Sequence, residues 1–364
     1  NIYDAWRKMP VAKQELTQNV GNITTAFENS VRRVKATYNF AMQTHASMGP
    51  SCAVADFQNG KLTIWSASQA THSMQHEIAV LTGLPKEAIR LVYLDGSGCY
   101  GRNGHEDATA DAALIAQIIG KPVRVQWMRH DETALAPKSP PRSMDFEASF
   151  DDKGNITGWK SDFYIALNHI AAFKPLDFPL LATTEVGIPR PGNWVGFLFQ
   201  NSGAPYTLPN IQVNTRHIEQ TFFRASHLRS PGRIENSFAN ESFMDELAYA
   251  AKSDPAEFRL KHLSDPRAIA VIKAAMKASN WQTRSGINTN NSQDASLRGR
   301  GISYVRYNNA ITYVATVAEV EVNRTTGKIR VTKLYVAHDC GQIVNPDGVI
   351  NQIEGGAIQT VSRT

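Results

Sequence analysis

Residues 90–128 constrain the fold more than any other part of the chain. The run Arg90-Leu-Val-Tyr-Leu94 leads into Gly96-Ser-Gly-Cys-Tyr-Gly101, and an alanine-rich segment follows from about His105 to Ile119. Gly120 behind that segment and Pro122 ahead of Val123–Met128 are stop signals. The stretch therefore predicts a strand, a glycine turn, a helix and a second strand. Three glycines so spaced let the backbone turn tightly and bring its N–H groups against an anionic ligand.

The same spacing satisfies G-x-G-x-x-G, the fingerprint of a dinucleotide-binding turn. That reading meets two obstacles. Arg102-Asn-Gly104 delay the helix, whereas a dinucleotide turn opens its helix on the third glycine. The next strand ends in Trp127-Met-Arg-His130, where a ribose-binding acid would be needed. Arg129 can serve a 2′-phosphate, so an NADP-dependent dehydrogenase stays as a lesser alternative.

Elsewhere, strand patterns and helix patterns occur in separate runs. Residues 1–40 read as a polar helical segment, with Ile23, Phe27, Val31 and Val34 at roughly helical spacing. Cys52–Phe57, the turn Asn59-Gly60 and Lys61–Trp65 predict a hairpin, and a helix from Thr71 to Thr82 ends at Gly83 and Pro85. A second hairpin is expected over 145–168 around Asp152–Asn155. The stretch 169–209, rich in Pro, Gly and aromatics, has no period and reads as an extended surface or partner-contact segment.

Helices are expected at Ser237–Lys252, Pro255–Leu263 and Pro266–Ser279, then a loop over 283–298. Strands at Tyr313–Asn323 and Lys328–His338 and a helix from Pro346 complete the pattern. Segregated runs favour an α+β fold over a doubly wound one. The division expected is a helical segment 1–40, a first subdomain 41–235 and a second subdomain 236–364.

Of the 364 residues, 42% are hydrophobic and 20% charged, the balance of a globular chain with a sizeable core. No apolar run is long enough to span a membrane, and Asn1–Pro10 lack the apolar centre of a signal peptide. The net charge of +5 is scattered, which argues against a nucleic-acid partner. Cys52, Cys99 and Cys340 are too few and too far apart for an iron–sulfur cluster of their own. His45, His72, His105 and His338 lack metal-ligand spacing and read as structural. Phe238, Phe243 and Met244 read as helix core, and Glu319 and Asp339 as strand-end or solvent-face acids.

Several separated segments, taken in order, are more specific. They are Gln43-Thr-His-Ala-Ser-Met-Gly-Pro-Ser-Cys52, Ala67-Ser-Gln-Ala-Thr-His72, the glycine loop and Lys121-Pro-Val-Arg-Val-Gln-Trp127. Leu228-Arg-Ser-Pro-Gly-Arg233, the run Asn236 to Ala248, Ala337-His-Asp-Cys-Gly-Gln-Ile-Val-Asn-Pro346 and Asn351-Gln-Ile-Glu-Gly-Gly356 follow. Together they resemble the molybdopterin-binding subunit of the xanthine dehydrogenase and aldehyde oxidase family. The likeness is greatest to the branch formed by isoquinoline 1-oxidoreductase beta chains and the corresponding nicotinate dehydrogenase chains.

The resemblance implies an α+β molybdopterin-binding fold of mixed sheets and packed helices in two subdomains. Gly98, Cys99, Tyr100 and Gly101 would lie against the molybdenum and its pyranopterin, and Gln43 would hydrogen-bond a molybdenum oxo ligand. Arg229 and Gln352 would contact the pterin, with no direct metal ligand from this chain. The implied cofactor is molybdopterin in its cytosine dinucleotide form, with 2Fe-2S clusters on a partner subunit.

The implied reaction is hydroxylation of an N-heteroaromatic or aldehyde substrate with water, the electrons passing to the iron–sulfur subunit and on to an acceptor such as cytochrome c. A non-catalytic assembly domain is the competing expectation. The family's upstream Gly-Gln-Gly and Gly/Ser-rich segments and its downstream base glutamate have no counterpart here. The chain is therefore expected to be a fragment, inactive alone, that needs separate segments of the same subunit. Gly49 stands where many relatives carry Glu. Bacterial cytoplasm and periplasm both remain open.

Overall fold

The computed structural model describes residues 1–104, 106–167, 180–188, 197–219, 223–284 and 295–364. Three sheets organise the described residues. The first contains β1 (Val11–Val20), β2 (Arg32–Phe40), β7 (Arg142–Phe150), β8 (Ile156–Ala166) and β9 (Ile211–Ile218), in the order β1-β9-β8-β7-β2. The second contains β3 (Cys52–Gln58), β4 (Lys61–Ser66), β5 (Ile89–Tyr93) and β6 (Val123–Gln126), in the order β5-β4-β3-β6. The third is the antiparallel meander β10 (Ser296–Tyr307), β11 (Ile311–Asn323) and β12 (Ile329–Asp339). Parallel and antiparallel pairs occur in the first two sheets, so the α+β expectation holds.

Each sheet packs by a different chemistry. In the second, β3 and β4 close on Asn59-Gly60, both with positive φ, the turn that matches strand twist. The helix Asp107–Ile119 lies on this sheet through Ala110, Ala112, Ala113 and Ala116, all fully buried. Small side chains let the helix approach closely, and Gly120 in the left-handed conformation ends it. The larger core joins the first sheet to the helix Arg233–Ala250 and to β10 and β11. At its centre Phe243 meets Trp159 at 5.0 Å and Phe146 at 5.1 Å between ring centroids. Each such buried ring stabilises by about 1.5–3 kcal/mol.

Four expectations need correction. Residues 1–40 are not a helical segment: only Ile2–Lys8 and Ile23–Glu28 are helical, and β1 and β2 form the two edges of the first sheet. The boundary at 235/236 cuts the helix Arg233–Ala250, whose buried face belongs to the core shared with the first sheet. The cores divide the chain differently, with the second sheet and its two helices apart from the rest. The loop 283–298 overlaps β10, which begins at Ser296, and residues 285–294 lie outside the described residues.

Phe238 is not core either: it is 44% exposed and meets Tyr38 and Phe40 edge-on, while Phe243 and Met244 are fully buried. Much of 169–209, and His105, also lie outside the described residues. No helix among those described is long and apolar enough to cross a membrane.

Candidate functional site

β4 and β5 are parallel neighbours, so the turns at their carboxyl ends lie side by side. One is Ala67–Ala70 and the other the glycine loop. Gly98 and Gly101 have φ of +115° and +102°, where a side chain strains the backbone. A Cβ on Gly101 would sit 2.0 Å from the carbonyl oxygen of His227. The loop is pinned through its carbonyls: Ser97 accepts from Met48 N–H (3.1 Å), Cys99 from Arg102 N–H (2.9 Å) and Tyr100 from Arg229 N–H (2.8 Å). Among the described residues the N–H groups of Gly98, Cys99 and Tyr100 donate to nothing.

Arg229 is thus tied to the loop by its backbone. Its side chain reaches the helix Pro346–Arg363, where Nη1 donates to Gln359 Oε1 at 3.1 Å. Gly356 faces the same guanidinium, so residues 352, 356, 359 and 363 form the stripe that turns toward the loop. Gln352 lies on that stripe, exposed, one turn beyond Gly356. Arg363 closes its other end, with an Nη2 that is buried and unpartnered.

Gln43 is placed elsewhere than the loop. Its backbone pairs with Ser139, its Nε2 donates to the carbonyl of Arg363 at 3.4 Å, and its Oε1 is buried without a partner. The glutamine that touches the loop is Gln69, whose Oε1 receives the Cys99 thiol. Its motif was visible in the sequence, but only the parallel pairing of β4 and β5 brings it to Cys99. Gly49 N–H donates to Ser97 Oγ at 2.8 Å, in a gap where a Cβ would clash.

His45 joins these pieces. Its Nε2 lies 2.5 Å from the His227 carbonyl, which can only accept, so the proton is on Nε2 and Nδ1 carries a lone pair. That Nδ1 is buried and unpartnered. Burial first, then Arg102, Lys138 and Arg363, hold the imidazole down at about 4, and it is neutral. Asp107, fully buried, anchors Arg224 with oxygen contacts of 3.0 and 2.9 Å and lies 3.6 Å from Arg102.

Arg129 is not free for a phosphate. It pairs with Glu132 at 2.8 Å and donates to the carbonyls of Ser47 and Met48 at 2.5 and 3.0 Å. That removes the support for an NADP site. The surroundings fit an anionic, hydrogen-bonding cofactor. Three N–H groups that donate to nothing among the described residues, a guanidinium anchored at one end and unpartnered polar atoms at His45 and Arg363 lie around one loop.

Comparison with known proteins identifies the family. Residues 7–186 and 191–263 match one molybdopterin cofactor-binding domain, and residues 241–363 match a second. The chain belongs to the molybdopterin cofactor-binding domain family. It is 36% identical over 360 residues to a nicotinate dehydrogenase chain of Pseudomonas putida, covering 96% of this chain and 29% of that one. To the beta chain of isoquinoline 1-oxidoreductase of Brevundimonas diminuta it is 29% identical, covering 89% and 40%.

The chain thus spans well under half the length of these relatives. The fold matches aldehyde oxidoreductase from Desulfovibrio gigas at a TM-score of 0.63, with 20% identity and 88% and 35% coverage. Quinoline 2-oxidoreductase from Pseudomonas putida 86 gives 0.64, with 16% identity and 88% and 43% coverage. The relatives it matches include a nicotinate dehydrogenase, an isoquinoline oxidoreductase and an aldehyde oxidoreductase.

Proposed function

We propose that this chain forms one wall of the molybdopterin site of a hydroxylase acting on an N-heteroaromatic or aldehyde substrate. The observation that carries the reading is the convergence of the glycine loop, Arg229 and the Pro346–Arg363 helix, joined by the Tyr100–Arg229 backbone bond and the Arg229–Gln359 contact. The backbone N–H groups of Gly98, Cys99 and Tyr100 face the cofactor, in a turn whose positive φ at Gly98 and Gly101 requires glycine. Arg229 supplies fixed donors to its anionic part, and Gln352 reads the pterin edge by donating and accepting at once. Gln69 and Gln43 compete for the oxo contact, and the position on Cys99 favours Gln69.

When bound, the molybdenum cofactor would supply the two-electron chemistry, and the chain would position it. A cytosine dinucleotide form, a 2Fe-2S partner subunit and a cytochrome c acceptor belong to the same proposal, as does the need for further segments that bring the base. Co-expression with the neighbouring segments and an iron–sulfur subunit in a cofactor-producing bacterium tests it. Molybdenum and pterin should copurify, and Gln69→Leu should lower molybdenum content more than Gln43→Leu. The reverse order returns the oxo contact to Gln43. Stoichiometric molybdenum with full turnover by the isolated chain would sink the claim that it needs other segments. A complex without molybdenum would leave an assembly role.

A further inference from the structure

Between the glycine loop and the start of β3 lies a cavity of about 260 Å³, with Trp65, Ala67 and Leu94 as apolar walls and Ser47 and Glu106 as polar ones. Bonds within the protein hold its rim. Ser51 N–H and Oγ donate to Glu132 at 2.7 and 2.8 Å, and Arg129 grips the Ser47 and Met48 carbonyls. Asn103 Nδ2 donates to Ala67 O at 2.9 Å, and Ser66 Oγ pairs with Thr109 Oγ1 at 2.6 Å.

Two groups are left over. Ser47 Oγ is buried without a partner. Glu106 is 2% exposed, yet among the described residues its carboxyl makes no hydrogen bond or ion pair. Such groups are costly to bury unless a ligand meets them.

We propose that this cavity is a specificity subsite, in which Glu106 engages the basic ring nitrogen of an N-heteroaromatic molecule and Ser47 Oγ a polar substituent on the same ring. The inference rests on the hydroxylase reading above and selects between its two substrate classes. A carboxylic acid donates to a ring nitrogen and a carboxylate accepts from a protonated one, so either state of Glu106 is matched. Burial, with Asp107 and Glu132 adding and Arg102 opposing, pushes this carboxyl up to about 7, where both states are populated. An aldehyde offers only an acceptor and leaves the carboxylate form unmet. The flat apolar walls suit an aromatic ring.

Nicotinamide and benzamide differ only by ring nitrogen against C–H, and calorimetric titration of each into the 364-residue chain tests the proposal. Nicotinamide should bind about tenfold more tightly, the worth of one hydrogen bond. Glu106→Ala should bring the two affinities together, and Ser47→Ala should weaken both amides alike. Should Glu106→Ala fail to fold, Glu106→Gln retains a donor and should keep the preference while abolishing its pH dependence.

Equal affinities in the wild type, no binding of either amide at millimolar concentration, or a preference that survives Glu106→Ala overturns the subsite. Molybdenum and pterin are assayed in the cofactor-loaded complex alongside. A nicotinamide preference without cofactor retention keeps the ring-nitrogen site and overturns the hydroxylase reading. Cofactor retention with equal amide affinities does the reverse.

Discussion

Gly101 faces the carbonyl of His227 across a gap that no side chain can enter, and its φ of +102° penalises any other residue. Gly120, at φ +63°, has open space around the same missing Cβ. The pair separates backbone strain from collision. Gly120→Ala should cost about 1 kcal/mol, whereas Gly101→Ala adds overpacking and should cost about 2–4 kcal/mol. Urea midpoints of the two variants check this, and equal costs would mean the His227 segment yields freely. At this scale the sequence displayed the glycines and Arg229 but not their partners. Gln69 reaches Cys99, and His45 reaches His227, only through strand pairing and a contact 182 residues apart in the chain.

Asp254 carries more than one element. Its Oδ1 caps the helix Pro255–Lys261 through the N–H groups of Ala256 and Glu257 at 2.9 and 3.1 Å, while Oδ2 accepts from Trp281 Nε1 at 3.1 Å and Arg284 N–H at 2.9 Å. Asp265 caps Pro266–Ala278 through Arg267 N–H at a more exposed position, and its Oδ2 accepts from the Tyr313 hydroxyl at 2.8 Å and lies 3.6 Å from Arg306. Asp254→Ala should therefore lower stability by about 2–3 kcal/mol, as read from thermal melts.

Helices with Pro at the start and Gly behind the end, and hairpins with Asn-Gly, were legible because their signals are local. β1 was not, since Val11–Val20 is an edge strand with mostly exposed side chains and shows no two-residue alternation. In β2 the alternation of Val34, Ala36, Tyr38 and Phe40 is present, but Ile23, Phe27 and Val31 overlay a helical period on it. β10 was hidden by Gly299 and Gly301, which read as loop residues.

Across the whole molecule, the second sheet and the larger core meet through buried polar groups, and two of these titrate in opposite senses. His45 is held at about 4 against an ordinary 6.5. As pH falls from 6.5 to 4 the unfolded chain takes up a proton that the folded one refuses, so stability is lost toward acid. Glu106 lies at about 7 against 4.5. Its contribution is fully present below 4.5 and is lost as pH rises through 7, because the folded chain keeps a proton that the unfolded one has released.

Each slope is about 1.4 kcal/mol per pH unit, and between roughly pH 4.5 and 6.5 the two cancel. Glu106→Gln removes one arm and leaves the other. Its stability relative to wild type should be near zero at about pH 4.5 and should climb to about 3 kcal/mol in the variant's favour above pH 7. Urea unfolding across this range measures the difference directly. A difference that does not change with pH would mean that the carboxyl titrates as an ordinary glutamate, and the cavity beside the glycine loop would lose its proton-bearing wall.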